Sequence, residues 1–314
     1  MEYVGRYNMT WTRDVFTSRI KNLEEARRKY YELLGWQKNI FQDAELPAGD
    51  IYVDNNEDCI IQIAQALNGQ KSQIVLIYGD AGIGKSCFRR EMEEELRSDP
   101  VIGKKYMFII VDDPGQYTDL QVLRLIGSEL NIDFESKWNN REAVASMILK
   151  KLLDNFIEKR VQTIIVLDEA QKLSLISLDT LKQFSDLEYE GIKICRLILL
   201  GTPEIFKKLS SPSMEPFIDR ILIKFELKGF NFKETAEYIA RWVAYSKGEE
   251  FKGVDGTAIY PFTPDAVEKI FQISKGHPRT VRKLCALSID VRLENPKGVE
   301  IDSQIVDEAS KRLI

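Results

Sequence analysis

Between Gly79 and Ser86 the chain reads Gly-Asp-Ala-Gly-Ile-Gly-Lys-Ser, which meets the spacing G-x-x-x-x-G-K-[ST] at every position. The run before it, Ile74-Val75-Leu76-Ile77-Tyr78, is apolar and β-branched, and the run after it, Cys87 to Leu96, has helical character. A strand, a glycine-bearing loop and a helix in that order make a cradle. The glycines let consecutive backbone N–H groups turn inward, and the helix amino end adds a favourable dipole for an anion. Gly79, Asp80, Ala81, Gly82, Ile83 and Gly84 would line such a cradle, with Cys87 just beyond it. Lys85 would meet the β and γ phosphates of a nucleotide, and the Ser86 hydroxyl would ligate magnesium.

A magnesium site also needs a carboxylate. Thr163-Ile164-Ile165-Val166-Leu167 is an apolar strand that runs directly into Asp168-Glu169. This spacing resembles a Walker B element, with Asp168 at the metal and Glu169 orienting and polarising the attacking water. A helix-capping aspartate is the competing reading of an acidic strand end. Together the two segments imply ATP and Mg2+ as cofactors and ATP hydrolysis as the reaction.

From Gln73 onward short β-branched runs alternate with longer helical patterns, the mark of an α/β fold with a parallel sheet and crossover helices. Five strands are expected, at Ile74 to Tyr78, Tyr106 to Asp112, Thr163 to Asp168, Lys193 to Gly201 and Ile221 to Leu227. Each is nearly continuous in apolar residues, as strands covered on both faces should be. After Gly229 the pattern is helical only, with Phe232, Ala236, Ile239, Ala240 and Val243 at one spacing and Ala266, Ile270 and Ile273 at another. Thr263-Pro264 reads as a capping hydroxyl before a first-turn proline. Further helices are expected from Pro278 to Leu293 and from Asp302 to Leu313.

The domains expected are therefore an N-terminal helical extension over 1–50, an α/β nucleotide-binding domain over 51–229 and a helical domain over 230–314. Within the extension, Thr17 to Leu34 is periodic, and seven basic residues between Arg13 and Lys38 face four acidic ones. Mixed-sign charge fits a solvated amphipathic helix packed on the main domain, with a DNA or partner contact as the alternative. Leu46-Pro47-Ala48-Gly49-Asp50 reads as a linker.

Composition removes several other classes. The longest apolar runs fall far short of the roughly 18 residues a membrane helix needs. The first residues carry no basic region followed by an apolar stretch, so a cytoplasmic address without a membrane partner is expected. Cys59, Cys87, Cys195 and Cys285 show no C-x-x-C spacing, and with His277 as the only histidine a zinc site lacks ligands. A net charge of −5 excludes a surface that is basic throughout but not a local basic stripe.

Two further elements resemble those of the AAA+ ATPases. Lys193-Ile194-Cys195-Arg196-Leu197-Ile198-Leu199-Leu200-Gly201-Thr202-Pro203-Glu204 resembles the fourth strand with its sensor, which implies that Thr202 touches the γ phosphate or the water. A helix N-cap before Pro203 remains the alternative. Gly276-His277-Pro278-Arg279 resembles the second sensor, so Arg279 would reach the nucleotide from the helical lid; a surface salt bridge competes with that, and His277 is structural in this reading. Asp219-Arg220-Ile221 stands where this family presents an arginine finger to the neighbouring subunit, and a local ion pair is the other reading of Arg220.

Taken in order with Phe232 to Ile239 and Ser274 to Cys285, these segments resemble a bacterial AAA+ branch that includes the MuB, TniB and TnsC transposition regulators and the ExeA-type ATPases. Glutamine is usual in the ExeA branch where Thr202 stands here. The resemblance implies an ATP-dependent homo-oligomer, ring or filament, on duplex DNA, which selects transposition targets and recruits a transposase or target selector. An ExeA-like or signalling ATPase that gates assembly of a non-DNA partner is the alternative. Origin-recognition initiators, also AAA+, carry a winged-helix domain after the lid, for which about 20 residues leave no room. Lys104, Lys105, Lys150 and Lys151 are candidate phosphate contacts, but plain solvated lysine is the favoured reading of each, and no DNA site is named from the sequence.

Overall fold

Tyr78 ends a five-residue strand whose first four side chains are buried, because strands in a parallel sheet are covered on both faces. In the computed structural model, which describes residues 24–37, 41, 53, 55–68, 74–134, 140–255, 257–294 and 298–313, the chain divides into two units. One is Asp54–Lys228, and the other brings together the described residues on either side of it.

The first unit is an α/β sandwich. Its strands are β1 (Ile74–Tyr78), β2 (Tyr106–Val111), β3 (Gln162–Leu167), a small hairpin of β4 (Glu188–Tyr189) and β5 (Ile192–Lys193), then β6 (Cys195–Gly201) and β7 (Ile221–Glu226). Five of them form one sheet in the order β2-β3-β6-β1-β7, and each of its four pairings is parallel. The expected α/β fold with a five-stranded parallel sheet is what the chain adopts. Side chains alternate across the sheet. Ile74, Leu76, Ile109, Ile165, Leu197 and Leu199 join one core with Val122, Ile148, Leu152 and Phe184 from the crossover helices.

The expected strand from Lys193 begins two residues later. Glu190 (φ 53°) and Gly191 (φ 78°) reverse the chain in a tight turn, so Lys193 pairs with Glu188 in the hairpin instead of entering the main sheet.

The second unit is built from helices and joins residues distant in sequence. Tyr30 and Leu34, on the helix described over 24–34, together with Trp36 and Phe41, share a core with Tyr238, Trp242, Phe262, Val281 and Leu284. Phe41 packs tilted against Trp242 and edge-on against Phe262, with ring centroids 5.7 and 6.0 Å away. Arg27 pairs with Asp290 at 2.6 Å, and the Tyr30 hydroxyl donates to the Val299 carbonyl. The expectation that this segment packs on the α/β domain is thus corrected: its apolar face belongs to the core of the C-terminal helices. Residues 17–23 of that expected helix and the linker over 46–50 lie outside the described residues.

The C-terminal helices are Phe232–Lys247, Pro264–Ser274, Pro278–Glu294 and Ser303–Ser310. The first begins with a reciprocal cap, Asn231 accepting from the Glu234 N–H while the Glu234 carboxylate accepts from the Asn231 N–H, and it ends on Gly248 at φ 71°. Thr263 holds the expected boundary position of the second, but its hydroxyl donates to the Ile301 carbonyl and caps no helix N–H.

Candidate nucleotide site

The loop after β1 curls at Gly82 (φ 86°) and Gly84 (φ 101°), a region that side chains disfavour and glycine enters freely. It delivers Lys85 and Ser86 as the first two residues of the helix Lys85–Ser98. Among the described residues no side chain caps that helix, and its first turn holds no acidic residue, so its leading N–H groups suit an incoming anion. Lys85 is buried, and its ammonium donates to the Gly79 and Asp80 carbonyls at 2.9 and 3.0 Å. This donor set fits the phosphates of a nucleotide.

Across the sheet, β3 hands over to Asp168, whose N–H donates to the Val111 carbonyl of β2. The Ser86 hydroxyl donates to Asp168 Oδ2 at 2.8 Å, which joins the two motifs read from the sequence. Asp168 is 4% exposed. Among the described residues no three of His, Cys, Asp or Glu converge as a metal cluster. Ser86 and Asp168 nevertheless suit magnesium, which binds through few protein oxygens and keeps waters or phosphate oxygens for the rest.

Sequence reasoning missed Arg89. It lies one turn beyond Lys85 on the same helix, is 8% exposed, and pairs with Asp112 at the end of β2 at 3.0 Å, with its Nε 3.9 Å from Asp168 Oδ2. Spacing would have singled it out, since residues four apart share a helix face. Its positive charge offsets Asp168 in a setting where an unpaired carboxylate is costly.

Glu169 follows with φ 52°, a left-handed conformation that costs a side chain about 1 kcal/mol or more and tends to persist at functional sites. Its Oε2 accepts from Gln171 Nε2 at 2.8 Å and lies 3.6 Å from the Lys172 ammonium. Lys172 in turn donates to Asp113 at 2.7 Å, and that hydrogen bond first, aided by the Glu169 charge, raises its pKa. At the tip of β6, the Thr202 N–H donates to Gln171 Oε1 at 3.0 Å. The Thr202 hydroxyl is enclosed and has no hydrogen-bond partner among the described residues. The helix that follows, Ile205–Leu209, starts from Glu204, so the N-cap alternative for Thr202 does not hold.

Gly79, β6 and Asp168 are therefore neighbours by topology, because β6 lies between β1 and β3 and all three strands point the same way. Arg220 is elsewhere. Its carbonyl accepts from the N–H of Ile74, the first residue of β1, which puts it at the opposite end of the sheet from Lys85. There its guanidinium pairs with Asp186 and donates to the Pro216 carbonyl, the local ion pair that competed with the finger reading. Cys87 is half-buried on the helix after Ser86, with its sulfur 3.7 Å from Arg90. Arg279 and His277 belong to the helical unit, where Arg279 is exposed in the first turn of Pro278–Glu294.

Residues 57–209 match the family model described as AAA domain (AAA_22). General secretion pathway protein A of Aeromonas hydrophila is 24% identical over 212 residues, covering 67% of this chain and 35% of that protein. An uncharacterized HTH-type transcriptional regulator of Methanocaldococcus jannaschii is 31% identical over 154 residues, 48% of this chain and 35% of that protein. The chain thus spans about a third of the length of these curated relatives. Among solved structures, Cdc6p of Pyrobaculum aerophilum aligns with a TM-score of 0.62 at 16% identity, over 88% of this chain and 70% of that one. Aeropyrum pernix ORC1, solved in complex with DNA, aligns at 0.57 and 18% identity, over 87% and 68%. Origin-recognition proteins, set aside above on chain length, hence share this fold, and the likeness is one of fold. Residues 57–209 thus match an AAA domain model, and the α/β unit has the fold of the AAA+ P-loop NTPases.

Proposed function

We propose that the chain is a magnesium-dependent ATP hydrolase of the AAA+ type that acts as a homo-oligomer on duplex DNA. The observation that carries the catalytic part is the 2.8 Å contact of Ser86 with Asp168, made where Lys85 lies buried in the glycine loop. In this reading Lys85 and the loop N–H groups bind the phosphates, and Ser86 and Asp168 hold the metal. Bound magnesium would neutralise charge developing on the β and γ oxygens. Glu169 orients and polarises the attacking water, and the enclosed Thr202 hydroxyl takes the γ phosphate or that water as its partner. Arg279 would contribute from the helical unit, and Arg220 from a neighbouring subunit after leaving Asp186.

The DNA part is supported by the fold shared with Aeropyrum pernix ORC1 in complex with DNA and with Drosophila ORC bound to DNA, at 18% and 14% identity. A chain of net charge −5 can bind this way, because contacts repeated once per subunit ask few basic residues of each. The narrower role in transposition, with a transposase or target selector as partner, rests on the sequence resemblance alone. The second reading, an ATPase gating assembly of a non-DNA partner, is favoured by the similarity to general secretion pathway protein A.

One titration separates the readings. Hydrolysis by the purified chain is measured with magnesium or with a chelator, with and without duplex DNA, across a salt series. Magnesium-dependent turnover with ATP-dependent, salt-sensitive duplex binding is expected. Turnover without any duplex binding would leave the second reading standing, and no turnover in either would remove the catalytic assignment.

A further inference from the structure

We propose that Gln171 is a positioning residue, which sets Glu169 relative to the tip of β6 by holding both at once; this rests on the catalytic reading of Glu169 above. The side chain bridges two strand ends. Its Oε1 accepts from the Thr202 N–H at 3.0 Å while its Nε2 donates to Glu169 Oε2 at 2.8 Å. The orientation of the amide is decided by chemistry, since a backbone N–H can only donate and a carboxylate can only accept. No other arrangement of that amide satisfies both neighbours.

The seat is also tight. A Cβ on Gly201 would lie 2.9 Å from Gln171 Oε1 and 3.3 Å from its backbone N, so a side chain there would displace the amide. Lys172, the cation near Glu169, hydrogen-bonds Asp113 at 2.7 Å and makes only a looser ion pair with Glu169 at 3.6 Å. Gln171 is therefore the hydrogen bond that orients the carboxylate. Thr202 carries the enclosed, unpartnered hydroxyl next to the bridged N–H. A shift of that loop when the hydroxyl gains a partner would reach Glu169 through one rigid amide.

The test uses the full chain and steady-state hydrolysis with magnesium, together with affinity for a slowly hydrolysed ATP analogue and thermal melting. Gln171→Ala should lower kcat about 10- to 100-fold, as loss of an orienting partner commonly does, with analogue affinity and melting unchanged. Gln171→Glu keeps the acceptor for Thr202 but cannot donate to Glu169, and should lose as much. The residual rate of Glu169→Gln should change less than about twofold when Gln171→Ala is added, because residues acting through one group are not additive. A kcat unaltered in either Gln171 variant overturns the proposal, and so does an equal loss in the Glu169→Gln background. Should Gln171→Ala fail to fold, Gln171→Glu decides alone. Turnover by Glu169→Gln at the unsubstituted rate would instead remove the catalytic reading on which the proposal rests.

Discussion

In the α/β unit, Lys85, Arg89 and Asp168 are buried together at one end of the sheet. In the helical unit the comparable interior is filled by Tyr30, Trp36, Phe41, Tyr238, Trp242 and Phe262, and its buried hydroxyls of Thr235 and Ser246 bond to carbonyls of their own helix. Burying charge is costly unless it is paired, so the first unit maintains a network of ion pairs and hydrogen bonds around these side chains. The second invests in aromatic area, which stabilises without doing chemistry. Substitutions in the two regions should therefore separate activity from stability.

The largest effect expected is that of Glu169→Gln, which should lower hydrolysis by about 10²–10⁴-fold with ATP affinity and melting retained. Loss of melting stability without loss of rate would break the contrast. Trp242→Ala probes the other side and should destabilise by about 3–5 kcal/mol, the usual cost of emptying a buried aromatic site. Urea unfolding followed by tryptophan-independent circular dichroism checks it, and an effect below about 1 kcal/mol would mean that the aromatic cluster is not what holds this unit.

Arg89→Ala should cost about 1.5–3 kcal/mol, the range for a hydrogen bond to a charged group, and should weaken magnesium-dependent nucleotide binding as well. It is the case where activity and stability fall together, and calorimetric titration beside thermal melting would show both. The smallest effect belongs to Glu294, whose carboxylate is held below its ordinary pKa by hydrogen bonds from Arg312 at 2.8 and 2.5 Å. A lowered carboxylate contributes stability that is present above its ordinary pKa and is lost as pH falls through the lowered one. Glu294→Gln should flatten that acid limb of the unfolding profile and cost no more than about 1 kcal/mol near neutrality, since the pair is largely exposed.

How well the chain could be read follows the range of the interactions. The glycine loop and the end of β3 were legible because backbone conformation and strand patterning are local, so Gly84, Lys85, Ser86 and Asp168 could be named from spacing. Arg89 was within reach of the same logic. Gln171 was not, because its role depends on β6 lying beside β3, a pairing that no short window of sequence contains. Lys193 was misplaced because a two-residue turn outweighed the apolar run that followed it.

The amino-acid sequence by itself determined the five strands of the main sheet to within two residues at their ends, and it determined the phosphate-binding loop, because periodicity and glycine conformations act over a few residues. Only the tertiary structure decided that Ser86 meets Asp168, that Gln171 ties Glu169 to the Thr202 backbone, and that Tyr30 and Phe41 enter a core with Trp242. Those contacts close loops of tens to hundreds of residues, and which of them form is set by how the whole apolar surface is buried.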